Sequence, residues 1–252
     1  MIGYEVAEGV ARITLRRPEK RNAVSDALLA ALAEAVGRAQ SEAQALVVSG
    51  EGPAFCAGLD LAEHGAREAQ EVFWHSRGWH AALGLIARGR IPAIAAIHGA
   101  CVGGGLELAA ACHLRVAEPS AFFALPEGSR GIFVGGGATV RVARLVGASR
   151  MADMMLTGRV VDAATAERWG LVNHLAEPGG AAALALSLAA KAATVPALTT
   201  LGILEALPRI QDMASEDGLF VESLVAALAQ TGPEARGRLA AFLERGEGKV
   251  RG

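Results

Sequence analysis

Ile97-His98-Gly99-Ala100-Cys101-Val102-Gly103-Gly104-Gly105-Leu106-Glu107-Leu108-Ala109 reads as a buried strand that ends, a glycine turn, and a helix that begins. Glycine carries no Cβ, so the three consecutive glycines let the backbone pass close to a ligand. They stand where a helix starts, so unbonded N–H groups and the positive end of the helix dipole face whatever lies there. Such a place suits negative charge, either bound or developing during a reaction. Glu107 falls in the first turn of that helix, and a carboxylate beside polarising N–H groups is equipped for proton chemistry next to a carbonyl. The same pattern also fits tight strand–helix packing, with Glu107 favoured by the dipole alone. The flanking sequence has to separate the two readings.

On the N-terminal side, two β-type runs at residues 4–7 and 10–15 are separated by Glu8-Gly9, a hairpin signal. A basic loop, Arg16-Arg17-Pro18-Glu19-Lys20-Arg21-Asn22-Ala23, follows. Ser25 is a suitable N-cap for a helix carrying Leu28, Leu29, Leu32 and Val36 at helical spacing. A strand is expected over 45–49, then a loop, Gly50-Glu51-Gly52-Pro53-Ala54-Phe55-Cys56-Ala57-Gly58-Leu59-Asp60-Leu61, then a long helix over 66–87 and a strand over 92–97.

Beyond the central helix, short strands are expected at 114–117 and 121–124. A second glycine-rich loop runs from Leu125-Pro126-Glu127 to Gly135-Gly136-Gly137. Helices follow at about 138–146, 149–156 and 162–169, a strand at 171–174, and an alanine-rich helix to about 194. After Pro196 the pattern is helical, with breaks at Pro208 and at Thr231-Gly232-Pro233. Strands and helices alternate first and helices alone come last, which implies an α/β body over 1–195 and a helical region over 196–252. The rhythm is two strands and a helix, unlike plain βαβ.

A chain of 252 residues that is 52% hydrophobic can form a substantial core. Only 4% is aromatic, and alanine-rich helices bury little area each, so further surface is expected to be hidden between subunits. The formal charge is -2, and the sequence has no basic stripe that would suggest a nucleic-acid partner. Cys56, Cys101 and Cys112 lie in apolar contexts and read as buried small hydrophobes in a reducing compartment. Met1-Ile2-Gly3-Tyr4-Glu5 lacks the features of a signal peptide. The apolar stretch 91–112 is too interrupted to span a bilayer, so no membrane association and a cytoplasmic address are expected.

Three stretches then converge. Ala57-Gly58-Leu59 and Gly103-Gly104-Gly105 can each present backbone N–H groups, and Leu125-Pro126-Glu127 offers a second carboxylate after a strand. Two loop amides aimed at one point make an oxyanion hole, and two glutamates nearby can add or remove water.

At these residues the chain resembles the crotonase, or enoyl-CoA hydratase/isomerase, superfamily. The matching blocks are Arg17-Pro18-Glu19-Lys20-Arg21-Asn22-Ala23, Ala54-Phe55-Cys56-Ala57-Gly58-Leu59-Asp60-Leu61, Gly99 to Leu108, and Phe123-Ala124-Leu125-Pro126-Glu127. Thr157-Gly158 and Ala166-Glu167-Arg168-Trp169-Gly170-Leu171-Val172 complete the set. The resemblance implies a spiral of ββα turns with a C-terminal helical trimerisation region, and trimers or hexamers built as dimers of trimers. It implies an acyl-CoA thioester as substrate, coenzyme A being part of that substrate, with no other cofactor and no metal. The thioester oxygen would sit between the N–H groups of Leu59 and Gly104. Arg21, Ala23, Ala57, Asp60 and Leu61 would line the CoA adenine and pyrophosphate, and Phe242 and Lys249 would reach the CoA of a neighbouring subunit. Glu107 would help activate water for attack at C3, and Glu127 would deliver a proton to C2.

Both glutamates are retained, which favours hydration over isomerisation or another acyl-CoA lyase reaction, and over an inactive acyl-CoA-binding subunit. The chain departs from the usual hydratase pattern at Gly128-Ser129-Arg130, at Phe133-Val134-Gly135 and at Val140, residues expected near the acyl end of the pocket. Arg130 reads as a surface residue or as a partner for a polar acyl group. The six histidines show no metal-ligand spacing, and His98 reads as a packed, hydrogen-bonded residue. Gly135-Gly136-Gly137 reads as a tight helix start or a phosphate cradle. The chain has no G-x-S-x-G nucleophile elbow and no complete dinucleotide fingerprint, which disfavours acyl-enzyme hydrolysis and NAD.

Overall fold

The computed structural model describes residues 1–65 and 67–244; they fall into two compact units, the first Met1–Ala193 and the second beginning at Thr194. In the first unit, strands β1 (Ile2–Ala7) and β2 (Val10–Leu15) form a hairpin whose turn places Glu8 and Gly9 at positive φ. Helix α1 (Asp26–Glu42) begins at Ser25, whose side chain accepts the Leu28 N–H. Strands β3 (Ala45–Gly50), β4 (Ala93–Ile97), β6 (Leu114–Ala117) and β9 (His174–Leu175) add in parallel, giving a six-stranded sheet in the order β1-β2-β3-β4-β6-β9.

Side chains alternate across this sheet, and both faces are covered. Leu46, Val48, Ala95 and Ile97 join the main core with α1 and α3 (Ala69–Ala87). Val10, Ala45, Val47, Ile94, Ala96 and Val116 meet Ala181, Ala185 and Ala189 of α8 (Ala181–Ala193). That alanine row has a four-residue period, which is one helix face, and its small side chains let α8 lie close to the strands.

A second sheet, β5-β7-β8, is made of Ala100–Val102, Phe122–Ala124 and Val161–Asp162. Each of its first two strands follows directly from a strand of the large sheet. After β4 the chain bends at Gly99, at φ 53, where a Cβ would lie 2.1 Å from Pro53 O. The stretch expected as strand, turn and helix therefore contains an extra strand, β5, before α4 (Gly104–Ala111). Isolated bridges Cys56–Cys101 and Val24–Leu59 repeat the manoeuvre after β3 and β2. The result is the repeat of two strands and a helix that the sequence rhythm implied, wound into the spiral that the resemblance implied.

Other expectations shift. The helix expected over 66–87 is α3, which starts at Ala69, and a short helix that was not expected, α2 (Leu61–His64), precedes it and ends at Gly65 with φ 50. Asp60 caps α2, and reciprocal bonds of Glu68 and Glu71 cap α3. The strand expected at 171–174 begins only at His174, because the N–H groups of Leu171 and Val172 turn back to Ala166 O and close α7 (Ala163–Arg168). Helices α5 (Ala138–Val146) and α6 (Ala148–Thr157) lie close to their expected places.

The second unit is helical: α9 (Ala197–Leu201), a π turn (Gly202–Ala206), α10 (Leu207–Ile210), α11 (Ser215–Thr231) and α12 (Pro233–Glu244). Pro208 does not break it as expected. It sits in the first turn of α10, after the widened π turn, where its missing N–H costs little, and the break comes later, at 211–214. No single described helix is long and apolar enough to cross a membrane.

Candidate active site

The chain brings two backbone donors together through glycines. In the Val24–Leu59 bridge, Val24 N–H bonds Gly58 O and Asp60 N–H bonds Val24 O, so the bridge does not use the N–H of Leu59. Gly104 is the first residue of α4, where an N–H has no partner within its own helix. A Cβ on Gly104 would lie 3.4 Å from Leu59 N, and one on Gly58 would lie 3.1 Å from Gly104 N. A Cβ on Gly105 would collide with Cys56 O at 2.2 Å. The glycines thus permit the two loops to touch, and Ala57 N–H to Arg21 O (2.9 Å) and Val102 N–H to Cys56 O (3.1 Å) tie them in place.

The two carboxylates lie beside this pair. Glu107 is 4% exposed, and its Oε1 accepts the N–H groups of Gly136 at 2.7 Å and Ala138 at 3.0 Å, with the Gly137 amide also facing it. The seat of Glu107 is therefore the N-terminus of α5, a cradle of three successive amides. This settles what Gly135-Gly136-Gly137 does within the chain: it holds a side chain of the protein itself. Burial raises the pKa of Glu107, and the amides of Ala138 and Gly136 and the charge of Arg141 oppose that rise.

Glu127 follows β7 and is 7% exposed. Its Oε1 lies against Gly103, where a Cβ would come within 2.6 Å, and its Oε2 is buried without a hydrogen-bond partner among the described residues. Burial raises its pKa; its own amide and Arg130 pull the other way, while the charge of Glu107 adds to the rise.

Both glutamates and both donors line one cavity of about 470 Å³. Its walls are largely apolar, with Val72, Phe73, Trp79, Ile132, Phe133 and Val134. Trp79 is buried, and its ring edge fills space freed by two glycines: a Cβ on Gly104 would lie 2.7 Å from Trp79 Cη2, and one on Gly136 would lie 3.0 Å from Cε3. Ser76 Oγ donates to Gly135 O at 2.6 Å and fixes the loop that carries the cradle.

Of the residues expected at the acyl end, Arg130, Phe133, Val134 and Gly135 line the cavity, with the Arg130 side chain exposed. Gly128, Ser129 and Val140 do not line it. Val140 is 53% exposed, because α5 turns Ala138 and Val142 inward and a position two residues along falls on the other side.

Of the residues expected along CoA, Ala57 and Leu61 line the cavity, Arg21 is exposed at φ 50, and Ala23 offers its carbonyl to Arg17 at 2.8 Å. The Asp60 carboxylate accepts Arg17 Nη2 at 3.0 Å and the Ala62 N–H at 3.3 Å. Phe242 is half exposed on α12, and Lys249 lies outside the described residues. His98 bonds Gly52 O at 2.8 Å, a packing role. Among the described residues no three His, Cys, Asp or Glu side chains are grouped as metal ligands.

Four residues at or around the site were not singled out from sequence: Trp79, Arg141, Arg17 and Asn22. Asn22 is fully buried; its side chain accepts the Arg17 N–H and donates to Glu51 O and Ala54 O, holding the loop below Leu59. Its place in the basic block was a usable signal. Trp79 lies inside a helix and had none.

The sequence model for enoyl-CoA hydratase/isomerase matches residues 5–249. A crystal structure of a protein from Rhodopseudomonas palustris CGA009 assigned as an enoyl-CoA hydratase superposes with a TM-score of 0.95 at 48% identity, covering 99% of this chain and 96% of that one. A Rhizobium meliloti protein assigned as an enoyl-CoA hydratase is 34% identical over 241 residues, 94% of this chain and 92% of its own. A 4-chlorobenzoyl coenzyme A dehalogenase from an Arthrobacter species is 38% identical over 180 residues, 69% of this chain and 65% of its own. The aligned part of the chain spans less than two thirds of the length of the mitochondrial relatives it matches, 57% in one from Bos taurus.

Proposed function

The chain belongs to the enoyl-CoA hydratase/isomerase family, and we propose that within it the protein adds water across the 2,3 double bond of a trans-2-enoyl-CoA to give the 3-hydroxyacyl-CoA. The observation that carries this reading is the presence of two buried glutamates in the same cavity as the paired amides of Leu59 and Gly104.

The thioester oxygen accepts both N–H groups. As hydroxide character builds at C3, negative charge moves onto that oxygen, and the preset donors stabilise it; one donor of this kind is worth about 3 kcal/mol. Glu107, whose ionised form the amides of its cradle favour against burial, takes a proton from the attacking water. Glu127, whose carboxyl is biased toward its protonated form by burial and by the charge of Glu107, gives a proton to C2. The hydroxyl ends on C3, the hydrogen on C2, and the proton gained by Glu107 is equivalent to the one lost by Glu127. The two carboxylates handle both protons, so the scheme calls on no metal.

Arg21, Ala23, Ala57, Asp60 and Leu61 run along the adenine and pyrophosphate in this reading. The ion pair of Asp60 with Arg17 supports it, since a neutralised carboxylate does not repel the pyrophosphate. Assembly as a homotrimer, or a hexamer of two trimers, is supported by the apolar side chains exposed on the second unit, among them Leu201, Leu207, Phe220, Leu224 and Leu228. The direct test follows the loss of conjugated thioester absorbance with short, medium and aromatic trans-2-enoyl-CoAs. Turnover of at least one class is expected; none with any of them overturns the reading.

A further inference from the structure

Arg141 lies on the side of the α5 cradle away from the cavity. Its Nη1 donates to Gly136 O at 2.9 Å, and a Cβ on Gly137 would fall 2.5 Å from the same nitrogen. The carbonyl it holds belongs to the peptide whose N–H is that of Gly137, one of the amides facing Glu107. Arg141 therefore grips the cradle from behind and polarises one of its amides toward the carboxylate.

From this geometry we infer that Arg141 is a positioning residue that decides which of the two glutamates is the base and which the acid. It holds Glu107 in place and favours its ionised form, so that Glu127 is the residue left to give a proton. The inference rests on the proposed hydration and its assignment of Glu107 as base.

The surroundings are consistent with that role. Among the described residues, Arg141 bonds a carbonyl and no carboxylate, and the carboxylate it acts on is Glu107. Arg88, at the end of α3, adds a second cation behind it. His80 of α3 also feels Arg141, and its pKa is lowered by burial, then by Arg77 and Arg141. The thiol of Cys112 faces the same region, and burial pushes its pKa up to about 12. On the cavity side Glu107 faces Glu127, and His75 of α3 lines the same cavity. Arg141 and Arg88 lie behind Glu107; in front of it are the carboxyl of Glu127 and, on the cavity wall, Arg130, whose charge acts on Glu127.

The test compares Arg141→Gln, which keeps a donor for Gly136 O without charge, with Arg141→Lys, which keeps charge. Removing the cation raises the pKa of Glu107 further, so the acid limb of the kcat/KM profile moves up. A shift of about one pH unit in Arg141→Gln is expected, a roughly tenfold loss on the acid side, with the alkaline plateau and KM within a few-fold of wild type. Arg141→Lys is expected to keep the limb near its original position. An unmoved limb in Arg141→Gln, an equal loss at every pH, or a Lys variant no better than Gln overturns the inference.

Infrared titration of the carboxylates, assigned with Glu107→Gln, reads the same shift without turnover. It keeps the inference testable if activity is absent or the Gln variant folds poorly. An active Glu107→Gln enzyme would instead remove the assignment of Glu107 as base.

Discussion

Gly136 donates its backbone N–H to Glu107 Oε1 at 2.7 Å, across 29 residues of sequence. The bond leaves no room beside it, since a Cβ on Gly136 would lie 2.7 Å from Glu107 Oε2 and 3.0 Å from Trp79 Cε3. Gly136→Ala therefore pushes the carboxylate out of its seat. A displacement near an ångström at the base is expected to lower kcat by about 10²-fold, while overpacking costs roughly 1–3 kcal/mol of stability. Steady-state kinetics and a melting curve check this; an alanine variant with unchanged kcat contradicts it.

Glu127 makes a prediction about stability. Burial holds its pKa above the ordinary carboxyl value. A carboxyl with a raised folded pKa binds its proton more tightly in the folded state. Its contribution is thus greatest in acid and is lost as pH climbs from the unfolded value, about 4.3, through the folded one. Glu127→Gln removes that ionisation. The variant is expected to melt above wild type near pH 7, and the gap should close as pH falls toward about 4. Melting curves that show no gap, or one that does not change with pH, would count against a buried Glu127 carboxyl with a raised pKa.

The loop that carries Leu59 depends on a buried ion pair. Arg17 Nη2 and Asp60 Oδ2 are 3.0 Å apart, with side chains 14% and 8% exposed. Arg17→Met leaves a buried carboxylate without its cation, which typically costs about 3–5 kcal/mol. Urea unfolding should show a loss of that order, and the KM for acyl-CoA should rise because Ala57, Leu59 and Leu61 move with Asp60. A loss below about 1 kcal/mol, as for a surface pair, would mean that the pair does not brace the loop.

The parts of the site that could be read from sequence are those with a local physical signature. Gly103-Gly104-Gly105 before an apolar helix marks a turn and free amides wherever it occurs, and Ser25 marks a helix start. Glu127 was legible because a strand and a Leu-Pro corner precede it. The seat of Glu107 was not, because its partners lie beyond β6 and β7 and nothing near Glu107 points to them. Gly135-Gly136-Gly137 read as a helix start, which it is; that the helix start holds a side chain of the chain itself is a tertiary fact. Trp79 and Arg141 have helical neighbours and give no sign of which way they face. Pro208 misled for a related reason: a π turn ahead of it absorbs the missing hydrogen bond, and helix propensity alone does not foresee that.

The central claim is that the amides of Leu59 and Gly104 meet on one carbonyl oxygen while Glu107 and Glu127 face the neighbouring carbons. A crystal structure with a non-reactive acyl-CoA analogue tests it most directly. The account predicts the thioester oxygen within about 2.7–3.1 Å of both nitrogens, with Glu107 beside C3 and Glu127 beside C2. A thioester oxygen bonded to neither amide, or an acyl group lying away from either carboxylate, would contradict it.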